Sequence, residues 1–389
     1  MSAPLSDPPS DPQSDSVVGE DGALPLPWLA EPLAQALRTH RGHALLVHGS
    51  PGVGALEFAL VMGQAWLCEG TGPDAPAQRL RPCGRCGSCR LVQSHLHPDL
   101  TVLLPETLRR EHSWPLPDDK TDGDDSKRKP SRQIRIDEVR LLIERCTRTS
   151  ARGQGKVGLI HPADALNLQS ANALLKTLEE PAAGTRLLLT TADPSALLPT
   201  VRSRCQLLRL PAPSAEQAVP WLQAHGVAEA ADAQVLLAAC SGRPLDVLAL
   251  VHAGVDARAW AALPLAVANG QAAALAGWPV PRALDALQKL CHDAMARAAG
   301  GAAVYFPAHS LPARVALPAL NAWAAELRRV ARHAEHPWSE ALLIEALVGA
   351  GAHALSPPTA THSAQALPGG RGHRAHPPAQ GQRLDTLGP

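Results

Sequence analysis

A chain of 389 residues, 45% of them hydrophobic, is long enough for two or three domains built around substantial cores. Its formal net charge of zero gives no case for a surface that grips nucleic acid or membrane as a whole, and 3% aromatics argue against a single-strand binder built on base stacking. No stretch reaches the roughly 18 uninterrupted apolar residues of a membrane helix. The N-terminus lacks the charged and apolar regions of a signal peptide, so no membrane partner is expected and the cytoplasm is the default compartment.

Residues 1–23 carry Asp7, Asp11, Asp15, Glu20 and Asp21 among Pro and Ser without Lys or Arg, and read as a disordered acidic leader. From 24 to 211 short apolar runs alternate with helix-like stretches, the signature of a parallel α/β sheet. Strands are expected at 43–49, 100–104, 156–160, 186–191 and 206–210. Helices are expected at 54–68, at 136–146 with Val139, Leu142, Ile143 and Cys146 at helical spacing, and at 170–180 up to Pro181. Two insertions interrupt the pattern. One, at 68–97, holds a cysteine cluster; the other, at 106–132, is polar, mixed in charge and reads as a mobile, linker-like loop. Beyond Pro211 the strand signals fade into a small helical unit at 212–252 and a larger Ala/Leu-rich one at 253–354. From 355 the chain is rich in Pro, Gly and His and reads as a disordered tail. His362, His373 and His376 in it offer at most adventitious metal contacts.

The first chemical motif is a phosphate-binding loop lacking its chemistry. Ala44-Leu45-Leu46-Val47 leads into Gly49-Ser50-Pro51-Gly52-Val53-Gly54, but Ala55 and Leu56 stand where a P-loop has Lys for the phosphates and Ser or Thr for Mg²⁺. The frame at Gly49, Gly52 and Gly54 is either a glycine-rich turn without a ligand or a residual nucleotide site. An ATPase also needs acidic residues at the end of a later strand to hold Mg²⁺ and orient water. The run Lys156-Val157-Gly158-Leu159-Ile160 ends instead in His161-Pro162, and Asp164 beyond that proline is a poor substitute.

The second motif is C-x-x-C-x-x-C at Cys83, Cys86 and Cys89, with Cys68 at the end of the preceding helix. Gly84 and Gly87 allow turns that aim thiolates inward, so the four cysteines read as a closed structural zinc site. Iron–sulfur ferredoxins share the spacing but add a further cysteine followed by Pro, and Cys89 is followed by Arg90-Leu91-Val92. With four protein ligands such a metal has no open position for catalysis. Cys146 and Cys291 read as ordinary core residues.

Two further segments carry a resemblance. The runs Ser170-Ala171-Asn172-Ala173-Leu174-Leu175-Lys176-Thr177-Leu178-Glu179-Glu180-Pro181 and Leu198-Pro199-Thr200-Val201-Arg202-Ser203-Arg204-Cys205 resemble the AAA+ clamp-loader family of bacterial DNA polymerase III. The resemblance covers about 24–240, and the C-terminal helices only by type and length. It implies an AAA+ P-loop core with a parallel sheet and a zinc-binding insertion, a small helical lid at 212–252 and a C-terminal helical collar at 253–354. It gives Arg204 the role of an arginine finger in the ATP site of a neighbouring subunit, with Ser203 and Cys205 as its motif. It places nucleotide-sensing residues near Thr190, Thr191 and Arg243, and Lys176 and Glu179 beside the subunit interface. The implied partners are gamma/tau ATPase subunits and a delta subunit, and through that assembly the sliding clamp and primed DNA. The implied function is that of a non-catalytic stator in DNA replication. The alternatives are an active clamp-loader ATPase and a stand-alone zinc-dependent DNA-binding protein.

Overall fold

The structure, a computed structural model, describes residues 16–71, 82–115, 130–332 and 339–357. The leader up to residue 15, the middle of the cysteine insertion, residues 116–129 of the polar insertion and the tail from 358, with its three histidines, lie outside the described residues.

Five parallel strands form one sheet: β1 (Ala44–His48), β2 (Leu100–Leu103), β3 (Lys156–Ile160), β4 (Thr185–Thr191) and β5 (Gln206–Arg209), in the order β2-β3-β4-β1-β5. Among the described residues seven α-helices accompany them: α1 (Ala30–Thr39), α2 (Ala55–Leu67), α3 (Gly87–Gln93), α4 (Glu106–Glu111), α5 (Ile136–Thr147), α6 (Leu168–Glu179) and α7 (Pro199–Arg202). Alternate residues of β1 enter opposite cores, as the two-residue period of a strand requires. Leu45 and Val47 join Phe58, Leu60, Leu159 and Leu188 on the α2 face, while Ala44 and Leu46 join Val139, Leu142, Leu174 and Leu178 on the α5/α6 face. Burial on both faces is why each strand is a nearly unbroken apolar run. Because β1 lies between β4 and β5, the loop leaving its carboxyl end opens at the top of the sheet, where open α/β folds place their ligands.

After β5 the described chain is helical: α8 (Ala215–Ala224), α9 (Ala230–Ala239), α10 (Pro244–His252), α11 (Ala257–Ala268), α12 (Val280–Ala298), α13 (Leu317–Ala331) and α14 (Glu340–Leu355). Trp221 of α8 meets Trp28 edge to face at 5.2 Å, and its indole N–H donates to the Pro25 carbonyl, tying the helices to the start of the α/β layer. Leu287, Leu290, Trp323, Leu327, Leu347 and Val348 close the core between α12, α13 and α14. No single described helix is long and apolar enough to cross a membrane.

Two expectations need correction. Residues 16–23 are not a disordered end of the leader: Val17 and Val18 are 2% and 0% exposed, and the Gln64 side chain exchanges two hydrogen bonds with the Val18 backbone. An apolar pair inside an acidic stretch was enough to be drawn into the core. The polar insertion likewise begins as a helix, α4, with no buried residue to advertise it. Leu108 packs partly against the core, and polar contacts add to it: Glu106 pairs with Arg110 one turn on and accepts from the Ser131 N–H, while Arg109 meets Glu138 of α5.

Asp99, 1% exposed, pins the entry to β2. It pairs with Lys156 of β3 at 2.8 Å and accepts from the Ser150 hydroxyl and the Ala151 and Arg152 N–H groups. Burial alone would raise this carboxyl, but Lys156 and the two amides outweigh it and hold it at about 2. A carboxyl held below its unfolded value of about 3.9 adds stability above that pH, which is lost as pH falls toward about 2. Asp99→Asn, which leaves Lys156 buried without its counter-charge, is expected to cost about 3 kcal/mol in urea unfolding at neutral pH. The wild-type advantage should shrink between about pH 4 and pH 2.

Candidate functional site

The cysteine insertion folds around its thiols. Cys68, at the C-cap of α2, faces Cys86 with sulfurs 3.9 Å apart, Cys83 faces Cys89 at the same distance, and all four sulfurs lie within 4.8 Å of one another. A tetrahedron with metal–sulfur bonds of about 2.3 Å has edges of about 3.8 Å, so the four cysteines could bind one metal ion. The N–H groups of Cys83, Cys86 and Cys89 each point at the sulfur of the preceding cysteine, at 3.4 Å, which supports negative charge there. Cys86 is also the N-cap of α3, a short helix not expected from the sequence. The hydrogen bond from Cys89 pulls the Cys68 thiol down to about 4 against the cost of burial, and the same bond pushes the Cys89 thiol up. Gly84, at φ +73°, lies against the Gly19 carbonyl with no room for a side chain, so the leader's end is part of the module.

The loop after β1 turns on two left-handed glycines, Gly52 at φ +75° and Gly54 at φ +96°. The helix that follows it, α2, starts from Gly54, but Leu56 is 4% exposed and packs into the core, offering no oxygen to a cation. At the end of β3, His161 donates or accepts through Nδ1 with the Thr190 hydroxyl at 2.6 Å. Burial lowers the His161 imidazole to about 4, so it is neutral at physiological pH. Magnesium takes oxygen ligands, and a neutral imidazole joined to a threonine is no substitute for a carboxylate. Thr190 therefore engages His161 within the sheet, while Thr191 turns to the Asp193 carbonyl.

Arg204 lies just past α7 on a rigid footing. Cys205 is 8% exposed in the core, and the one-turn α7 is fixed by Pro199 and the buried Val201. The guanidinium Nη1 donates to the Thr200 carbonyl at 2.8 Å and meets the Ser203 hydroxyl at 3.3 Å, while Nη2 pairs with Glu179 at the end of α6. The arginine is thus held by three named groups, with its Nη2 edge and Glu179 still partly open to solvent. Cys205 contributes through burial, which pushes its thiol up to about 12. Arg243, the other arginine of interest, pairs within its own helix cap with Asp246 at 2.8 Å. It is Asp246 that touches the loop at Gly52. Neither Glu179–Arg204 nor Asp246–Gly52 could be read from spacing, because each pair joins segments far apart in the chain.

The comparisons with known proteins fit this layout. A family model described as DNA polymerase III, delta subunit, matches residues 29–214. The DNA polymerase III subunit delta' of Pseudomonas aeruginosa is 36% identical over 219 residues, covering 56% of this chain and 58% of the relative. The subunit delta' of Escherichia coli is 32% identical over 285 residues, covering 68% of this chain and 76% of the relative. The chain belongs to the DNA polymerase III delta' family. The subunit tau of Escherichia coli is also similar, at 30% identity over 55% of this chain and 29% of its own length. The match spans less than two thirds of the Pseudomonas relative. The family model covers the parallel α/β core of this family member and ends at residue 214, just past β5.

Proposed function

We propose that this chain is a non-catalytic subunit of a DNA polymerase III clamp loader that supplies Arg204 to the ATP site of a neighbouring subunit. The observation that carries the reading is a contrast between the two edges of the sheet, with the degenerate site at the carboxyl ends of β1 and β3 and Arg204 at the amino end of β5. The groups that would serve the chain's own site are absent or engaged: Ala55 and Leu56 replace the cation and the hydroxyl, and His161 is neutral and joined to Thr190. Arg204 is instead anchored through Nη1, with its Nη2 edge paired to a single, partly exposed carboxylate that a γ-phosphate oxygen can replace. An arginine supplied in trans near the γ-phosphate offsets charge in the transition state. The helices over 212–252 then form a lid and those over 253–354 a collar that closes a ring with gamma/tau ATPase subunits and a delta subunit. The assembly opens a sliding clamp and sets it on primed DNA, with this chain as stator. The four-cysteine cluster holds structural zinc, whose closed tetrahedron leaves no place for a substrate.

The purified chain is expected to hydrolyse MgATP no faster than buffer. Turnover that is abolished by altering the loop at 49–54 would instead make it an active, gamma/tau-like ATPase.

A further inference from the structure

We infer that the loop at 49–54 is a seat for α10, and that Asp246 is the residue that keeps nucleotide phosphates out of it. The inference rests on reading the loop as a degenerate phosphate cradle, but not on the role given to Arg204.

Two carbonyls of the loop are held by donors from outside it. The Trp28 indole N–H donates to Val53 O at 2.9 Å, and the Leu245 N–H, in the first turn of α10, donates to Gly52 O at 3.3 Å. Beside this second contact the Asp246 carboxyl group lies directly on Gly52. A Cβ built on Gly52 would overlap Oδ1 and stand 2.7 Å from Cγ and 3.1 Å from Oδ2. Gly52 has φ +75°, a left-handed conformation that glycine adopts without strain, so both its backbone and its bare Cα are needed for the contact.

A phosphate cradle works by offering N–H dipoles and a lysine cation to oxygen anions. Here the lysine is missing and a carboxylate of the chain itself already stands against the turn. The nearby cation is committed as well: Arg243 Nε pairs with Asp246 Oδ2 at 2.8 Å and donates to the Cys240 carbonyl at 2.9 Å. A triphosphate would have to displace Asp246, break the Leu245–Gly52 hydrogen bond and lift α10. Losing the lysine alone would leave an empty cradle over which the helical unit could open and close. With Asp246 seated, α10 keeps one position whether or not ATP is present. Asp246 thus acts as a specificity determinant, and the loop as an intramolecular joint.

The test restores the missing cation and asks whether Asp246 still excludes the ligand. In calorimetric titrations of the full chain with MgATP, Ala55→Lys alone is expected to bind no more tightly than wild type. Ala55→Lys with Asp246→Ala is expected to bind at least about tenfold more tightly than Ala55→Lys. Equal affinities in the single and double variants, including no binding by either, would overturn the proposal. Should the double variant lose its fold, hydrogen exchange on single-site proteins decides. The Leu245 amide is expected to be equally protected in wild type with and without millimolar ATP, and to exchange faster in Asp246→Asn, which keeps the volume and removes the charge. Exchange of Leu245 at the unprotected rate in wild type, or unchanged protection in Asp246→Asn, contradicts the seat.

Discussion

Replacing Arg204 with Ala is expected to slow ATP hydrolysis at the neighbouring site of a reconstituted assembly by about 10³-fold or more. That factor corresponds to about 4 kcal/mol of transition-state stabilisation. The geometry supports an effect of this size because the guanidinium is positioned before any partner arrives. Nη1 is fixed by the Thr200 carbonyl and the Ser203 hydroxyl, and the backbone behind it by the buried Cys205. Ordering costs that a flexible surface arginine would meet on engagement are already met in the folded chain. Nη2 must exchange the Glu179 carboxylate for a phosphate oxygen, so part of the gross interaction is offset by the pair that is broken. Arg204→Lys should recover little, because a lysine has no planar fork to span the Thr200 carbonyl and a phosphate together. Folding is not at issue: the Arg204–Glu179 pair is partly exposed, and its loss should cost well under about 1 kcal/mol of stability. Rapid-mix assays of phosphate release on primed DNA read the rate, and thermal unfolding of the variant controls for the fold.

Removing the zinc proposed for the four-cysteine cluster should have an effect as large, but confined to one corner of the molecule. Tetrahedral thiolate sites in small peptides contribute on the order of 10 kcal/mol to folding, and here Cys83, Cys86 and Cys89 lie on a short segment with few core contacts of its own. A chelator, or Cys83→Ser, is therefore expected to raise hydrogen exchange across 83–95 by at least about 10²-fold. The change should spread to 16–20, because the Gln93 side chain donates to both Val18 O and Gly84 O, and Arg85 and Arg90 hold Glu20. The strands β1 to β5 should keep their protection, since neither sheet face depends on the cluster. Metal analysis should find one zinc per chain, lost in Cys83→Ser. Unchanged exchange over 83–95 in metal-free protein would leave the cluster without a structural role.

Much of the α/β layer was legible because parallel strands buried on both faces are continuous apolar runs. The expected 156–160 coincides with β3, and 43–49 overshoots β1 by one residue at each end. The helix expected at 170–180 starts two residues earlier, where Asn167 accepts from the Ser170 N–H as N-cap. What escaped had physical reasons. The helix α1 carries Pro32 within its first turn, and α4 has no fully buried residue, only Leu108 packed partly against the core. In α3 the capping group is a cysteine sulfur, a role that spacing assigned only to metal. At the site, the missing Lys, hydroxyl and acid could all be read as absences at fixed offsets. The groups filling those places, Thr190 against His161 and Asp246 against Gly52, come from other segments and follow only from the fold. Glu179 lay in a quoted motif, yet its partner Arg204 emerged only when the end of α6 was set beside α7.

The central claim is that this chain completes a neighbour's site while holding none of its own. Single-turnover hydrolysis in the reconstituted assembly, with bound ATP counted in the same samples, tests it most directly. Arg204→Ala is predicted to leave the number of ATP molecules bound per assembly unchanged and to remove one from the number hydrolysed in the burst. Altering the loop at 49–54 should change neither number. An unchanged burst in Arg204→Ala, or one fewer ATP bound when the loop is altered, would contradict the account.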